Sequence, residues 1–135
     1  SATCGAAPGH RSFPGYATTG VCLEGKCLNT TCVAHNKQVI INIGYKQFNI
    51  VTDANAETSK CPMCLQYVEP STCGFNSCLW RWWGIKKPHR GLPPVEISPC
   101  SWKEVNGEYV RFDEERSGSV TWLKLILETS SLHKF

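Results

Sequence analysis

The sequence predicts a mainly β fold, in which a small zinc-ribbon-like hairpin subdomain packs on an antiparallel β-sheet region. Three observations carry that expectation. Cys27-x4-Cys32 and Cys61-Pro62-Met63-Cys64 are two short loops, each offering a pair of thiolates. Residues 38–43, 46–51, 79–86, 108–113 and 119–128 are β-branched or aromatic, and several of them alternate with period two. No segment sustains a helical apolar period over three turns.

The elements follow in order. Residues 1–20 are rich in Gly, Pro, Ala, Ser and Thr and read as an irregular N-terminal arm carrying Cys4 and His10. Residues 21–66 are expected to form the zinc-ribbon-like subdomain. Within it, QVIINI (38–43) and KQFNIV (46–51), joined by Gly44-Tyr45, make a β-hairpin by pattern. That hairpin lies between the two cysteine loops, as a ribbon requires, and residues 52–60 form a polar return. Residues 67–135 are expected to be an antiparallel β region with a second cysteine knuckle. Residues 66–69 begin it as a short strand stopped by Pro70. Cys73-Gly-Phe-Asn-Ser-Cys78 repeats the C-x4-C spacing and leads directly into LWRWWGIK. In a strand, Trp80 and Trp82 face one way while Arg81, Trp83 and Ile85 face the other. The Pro-rich stretch 87–101 reads as a long loop with one edge strand. Two strands near 108–113 and 119–128 close the chain, linked by a polar turn with Gly118 available for positive φ.

Paired thiolates in tight loops point to zinc, whose structural sites are closed, tetrahedral and often all-cysteine. Pro62 stiffens the second loop. The expected ligands are Cys27, Cys32, Cys61 and Cys64, with His35 at a ligand-like distance from Cys32 as a substitute. Two other arrangements stay open on sequence alone. One joins Cys61 and Cys64 to Cys73 and Cys78, leaving Cys27, Cys32 and His35 to take Cys22; the other holds two ions in interleaved order. Cys73 and Cys78 also suit a second site with Cys22 or Cys100, or pack as buried free thiols. A four-thiolate ion leaves no open position for water. The chain carries no P-loop, GxGxxG, HExxH or GxSxG motif, and its four histidines have no evident acidic partner. The adjacent Asp113, Glu114 and Glu115 read as a solvated turn. No enzyme activity is expected.

Composition narrows the class further. At 135 residues the chain is sized for one domain, and 14 Lys+Arg against 11 Asp+Glu give a net charge of only +3. That is weak for a dedicated nucleic-acid binder. Nine cysteines leave at least one thiol unpaired, and disulfides inside such short loops are strained. Both points favour metal and a reducing, intracellular compartment. The sequon Asn29-Thr30-Thr31 keeps a secreted, disulfide-stapled module as an alternative. The first sixteen residues show neither the basic nor the apolar region of a secretory leader. The longest apolar run, 122–127, is interrupted by Lys124 and too short to span a bilayer, so no membrane association is expected. Arg81, Trp83, Lys86, Lys87 and Arg90 mix aromatics with cations, which suits a protein hot spot or single-stranded bases. The low charge favours protein over RNA.

Several ordered motifs resemble a known group. LEGKCLNTTCVA (23–34), GYKQFNI (44–50) and CPMC (61–64) are followed by YVEP (67–70), TCGFNSCLWR (72–81), GIK (84–86) and YVRFD (109–113) with Thr121-Trp122. Together they resemble a family of uncharacterised eukaryotic cysteine-rich domains, found in protists, fungi and small invertebrates and often downstream of ubiquitin-like domains. The likeness covers roughly residues 20–128. It implies a zinc-stabilised, non-catalytic domain that binds another protein, in a ubiquitin-linked assembly or as a RING-like ubiquitin-ligase adaptor. No ubiquitin-like sequence is present in this chain.

Overall fold

A computed structural model of the chain describes residues 17–112 and 121–133, together with the backbone of residues 2–6. The described residues are mainly β, in eight strands of one antiparallel sheet and one short helix. In chain order the elements are β1 (Ala2–Ala6), β2 (Gly20–Lys26), β3 (Gln38–Gly44), β4 (Gln47–Asn49), α1 (Ile50–Asp53), β5 (Thr72–Lys86), β6 (Val95–Ile97), β7 (Lys103–Phe112) and β8 (Trp122–Ser130).

Strand β5, fifteen residues long, organises the sheet. Its first half lies between β2 and β7, giving the order β1-β7-β5-β2-β3. Pairing with β2 ends at Gly20↔Asn76. From Leu79 onward β8 takes that edge, with Trp82 opposite Leu127 and Gly84 opposite Leu125. The change of neighbour falls at a bulge between Asn76 and Cys78, where Ser77 adopts φ +44°. A bulge bends its strand and increases the local twist. The sheet therefore curls, and β4 joins its far edge by pairing with β8.

The bulge also keeps one face of β5 apolar. Cys73 and Phe75 precede it, Cys78, Trp80 and Trp82 follow it, and all five are buried in the main core. Phe75 stacks on Trp80 with ring centroids 4.1 Å apart. Val21, Leu23, Val39, Ile41, Phe48, Leu125 and Leu127 belong to the same cluster. Trp80 and Trp82 are core residues, and Arg81, Trp83 and Ile85 on the other face are only partly buried, in the alternation the sequence predicts.

Five expectations are corrected. The segment expected to be wholly irregular contains β1, which pairs with β7, and its last residue, Gly20, already belongs to β2. Residues 38–43 and 46–51 do not pair with each other. β3 pairs with β2, and the shorter β4 pairs with β8, so the hairpin is β2–β3 and the first cysteine loop is its tip. Cys73 to Cys78 is a continuous part of β5, not a knuckle. Residues 66–69 contribute one isolated bridge, Lys60↔Tyr67, instead of a strand. Because β2 and β5 pair directly, the boundary expected at residue 66 does not separate two sheets. The Pro-rich stretch does carry one edge strand, β6 on β5. The acidic turn at 113–115, Gly118, His10 and the side chain of Cys4 lie outside the described residues.

A candidate four-cysteine metal centre

The first loop, residues 27–37, caps the β2–β3 hairpin. It is closed by Cys27 N–H to Lys37 O (3.2 Å), Asn36 N–H to Cys27 O (2.7 Å) and Cys32 N–H to Asn29 O (3.0 Å). The second loop is closed by Leu65 N–H to Cys61 O (2.8 Å) and Cys61 N–H to Gln66 O (2.9 Å). Asn36 and Leu65 take the left-handed conformation, with φ +64° and +63°. What brings the loops together is the strip that follows the second one. Val68 is buried, and its backbone bonds Ser59 through the Val68 N–H (3.0 Å) and the Ser59 hydroxyl (2.6 Å). Ser71 N–H donates to Glu24 O at 2.8 Å. Glu69 O and the Val68 side chain lie where a Cβ on Gly25 would stand, 2.4 and 2.7 Å away. Only glycine at position 25 lets this strip lie flat on β2.

The result is a convergence of four sulfurs. Cys27, Cys32, Cys61 and Cys64 place their Sγ atoms within 4.8 Å of one another, and no other such group of three or more ligands occurs among the described residues. Cys27 to Cys64 is 3.8 Å and Cys32 to Cys61 is 3.9 Å. A tetrahedral thiolate site with metal–sulfur bonds of about 2.3 Å has edges of about 3.8 Å. Two of the sulfurs accept a backbone N–H from the residue two positions on. Ala34 serves Cys32 at 3.3 Å and Met63 serves Cys61 at 3.4 Å. Such donors favour thiolate over thiol.

The sulfurs are not equivalent. The Asn29 side-chain amide, followed by the Gln66 N–H, brings the Cys64 thiol down to about 6, whereas burial pushes Cys27 up to about 12. Four thiolates at this spacing require a cation to offset their repulsion, and binding one releases the remaining protons. The Asn29 carbonyl oxygen also accepts from Thr31 N–H (3.1 Å) and Thr31 Oγ1 (2.9 Å). The sequon asparagine thus folds its carbonyl back onto Thr31 within the first loop.

The alternative ligands are placed elsewhere. His35 bridges to Cys27 through the backbone but is not part of the sulfur group. Cys22 lies on the opposite face of β2 from Leu23, with its thiol on Asn42 Oδ1 at 3.2 Å. Cys73 and Cys78 are core thiols. Burial pushes Cys73 well above the ordinary thiol range and raises Cys22 and Cys78 to about 12. Cys100 sits beside β5, its sulfur accepting Trp82 N–H at 3.5 Å. None of these four joins a metal-ligating group, so a second or interleaved site is not formed among the described residues.

The expected partner face is divided. Arg81 is committed within the chain, bonded to Glu128 at 2.8 Å and stacked over Trp102 and Trp83 at 4.6 and 5.5 Å from their ring centroids. Lys86 lies 5.7 Å over Trp122. Lys87 and Arg90 are exposed in the following loop.

Two features escape the sequence. Glu24 on β2 is fully buried, where Tyr109 Oη donates to its carboxylate and Arg111 contributes bonds of 2.9 and 3.2 Å. Gly74 leaves the space that the Tyr109 hydroxyl occupies. A charged residue in LEGK carries no sign of burial when its partners are more than eighty positions away. The second feature is the exposure of Leu28, Val33, Met63, Leu65 and Tyr67 around the sulfurs. Comparison with protein-family models, with curated proteins and with solved structures returns no match.

Proposed function

We propose that the chain is a non-catalytic protein-interaction domain whose two cysteine loops are held by one structural zinc ion on Cys27, Cys32, Cys61 and Cys64. The observation that carries this reading is the four-sulfur group, with all four sulfurs within 4.8 Å of one another, two pairs at 3.8 and 3.9 Å, and backbone N–H donors on Cys32 and Cys61. Soft thiolate ligands in a tetrahedron select zinc or iron, and zinc is the ion of closed structural sites. Four protein ligands leave a tetrahedral ion no vacant position, so the ion serves folding and not hydrolysis. The loops need it, because they bury few apolar side chains of their own. The resemblance to cysteine-rich domains that accompany ubiquitin-like domains supports a place in a ubiquitin-linked assembly, an associational argument that is separate from the geometry.

Elemental analysis of the full chain, purified without added metal, tests the zinc assignment. One equivalent of zinc, and a cobalt-substituted form with the intense visible bands of tetrahedral thiolate coordination, is the expected result. Iron in place of zinc, or no metal with four free thiols at these positions, would overturn it.

A further inference from the structure

We propose that the four-cysteine group has a second closed form, in which a hydroperoxide converts the sulfurs to two disulfides across the loops, Cys27–Cys64 and Cys32–Cys61, and the metal ion is given up. This rests on the metal-centre reading above and adds a redox response to the same site. The burial of the cysteines is the first observation. Each loop buries one of its two and leaves the other partly exposed: Cys27 and Cys61 are buried, whereas Cys32 and Cys64 are half-buried. An oxidant therefore has one cysteine to reach on either loop. Cys64 lies 3.8 Å from buried Cys27, and Cys32 lies 3.9 Å from buried Cys61. Each accessible sulfur thus has a buried sulfur of the opposite loop beside it. An accessible thiol next to a resolving thiol is the arrangement that leads to a disulfide before further oxidation.

Pairing across the loops is favoured over pairing within them. Cys61 and Cys64 share a turn closed by Leu65 N–H on Cys61 O, with Met63 N–H on the Cys61 sulfur. A bond inside so short a loop strains the disulfide geometry. The cross-loop pairs are 37 and 29 positions apart. A disulfide that closes a longer loop removes more freedom from the unfolded chain. Ser71 N–H on Glu24 O, a bond that involves no sulfur, also helps to hold the second loop against β2.

The sheet thiols are poorly placed to compete. Cys22, Cys73 and Cys78 are buried, and burial pushes Cys22 and Cys78 up to about 12 and raises Cys73 as well. They stay protonated at neutral pH, and the thiol is not the reactive form. Cys100 is half-buried but stands outside the sulfur group.

The chemistry balances with the hydroperoxide as the sole oxidant. The Cys64 thiolate attacks the peroxide, so that an S–O bond forms, the O–O bond breaks and hydroxide or alkoxide leaves. The Cys27 thiolate then attacks the oxidised sulfur, the S–S bond forms, the S–O bond breaks and hydroxide leaves. Cys32 and Cys61 repeat the sequence. Two hydroperoxides accept four electrons from four thiolates, which yields two disulfides and the free divalent cation.

The test uses the full, zinc-loaded chain treated with two equivalents of hydrogen peroxide. Zinc is measured before the oxidant is added, released zinc is followed with a chromogenic chelator, and pairing is mapped by mass spectrometry after alkylation in denaturant. The expected result is one zinc released for every two disulfides, with peptides joined through Cys27–Cys64 and Cys32–Cys61. Cys22, Cys73 and Cys78 should be recovered alkylated, and dithiothreitol with zinc should restore the starting state. Cys100→Ser should release zinc at the parent rate. Disulfides within the loops, Cys27–Cys32 or Cys61–Cys64, would overturn the proposal. So would oxidation of a sheet thiol before zinc is lost, zinc that Cys100→Ser protects, or zinc retained while the exposed Met63 becomes the sulfoxide. Zinc present at the outset separates these failures from failure of the metal assignment, whereas no zinc at the outset overturns that assignment and this proposal with it.

Discussion

In the β5–β8 pair the register places Trp80, Trp82, Leu125 and Leu127 on one buried face, with the ion pair Arg81–Glu128 on the other. In the two cysteine loops the arrangement is inverted. Four sulfurs point inward, and the large apolar residues beside them point out. Each fully buried aliphatic or aromatic side chain of the first region contributes roughly 1.5–3 kcal/mol. The second region has few such contributions, chiefly Ala34 and Val68. Under the proposed reading a metal ion supplies its order, and metal binding to zinc-finger-like thiolate sets is worth on the order of 10 kcal/mol. The contrast teaches that one continuous sheet can hold two regions stabilised by different means. It also frees the loops to expose apolar side chains that a packed core would consume.

The largest expected effect falls on the metal. Cys64→Ser should reduce bound zinc from one equivalent to none at micromolar protein, read by elemental analysis, because the Asn29 and Gln66 donors then face a hydroxyl that does not ionise. Next, Trp82→Ala in the sheet core should cost about 3–5 kcal/mol by denaturant unfolding, with metal content unchanged. If Trp82→Ala released the metal as readily as Cys64→Ser, the two regions would be a single unit.

Alkaline pH sharpens the comparison. Unfolded thiols ionise near pH 8.5, whereas buried Cys22 and Cys78 keep their protons to about 12 and buried Cys73 is raised as well. Above about pH 8.5 the folded state holds more protons than the unfolded one. The stabilising contribution is therefore intact below that pH and lost as pH rises, by about 1.4 kcal/mol per pH unit for each thiol. Cys73→Ala should flatten this slope in urea titrations at several pH values. An unchanged slope would show that the sheet thiols titrate in the folded state. The smallest effect belongs to Trp83→Ala. Half-buried on the outer face against Arg81, it should cost less than about 1 kcal/mol, measured as a small shift in Tm.

How much of this was legible beforehand depends on the range of the interaction. The β class, the facing of Trp80 against Trp83, the edge strand in the Pro-rich stretch and the four converging cysteines all follow from local pattern. Pairing did not. Residues 46–51 read as the second strand of a hairpin with 38–43, but Gly44 and Tyr45 do not turn one strand onto the other. β3 returns along β2 instead, and Phe48 packs in the core from β4 on the distant β8. β2 itself, GVCLEGK, hides its burial behind Glu24 and Lys26, since Arg111 pairs with the glutamate and Tyr109 donates to it only after β7 arrives. Cys73 and Cys78 imitate a knuckle by spacing alone. The bulge at Ser77, not a turn around a metal, accounts for their shared face. The positive φ of Leu65 likewise exists only once the second loop is closed.

Amide hydrogen exchange on the full chain, with and without a chelator, tests the division of labour most directly. With metal bound, amides that close the loops, those of Cys27, Cys32, Asn36, Cys61 and Leu65, should be protected together with the β5–β8 ladder. After chelation the account predicts that protection collapses in residues 27–37 and 59–68 while residues 79–84 and 125–129 keep theirs. Loop protection that survives removal of the metal, or a ladder that dissolves with the loops, would contradict it.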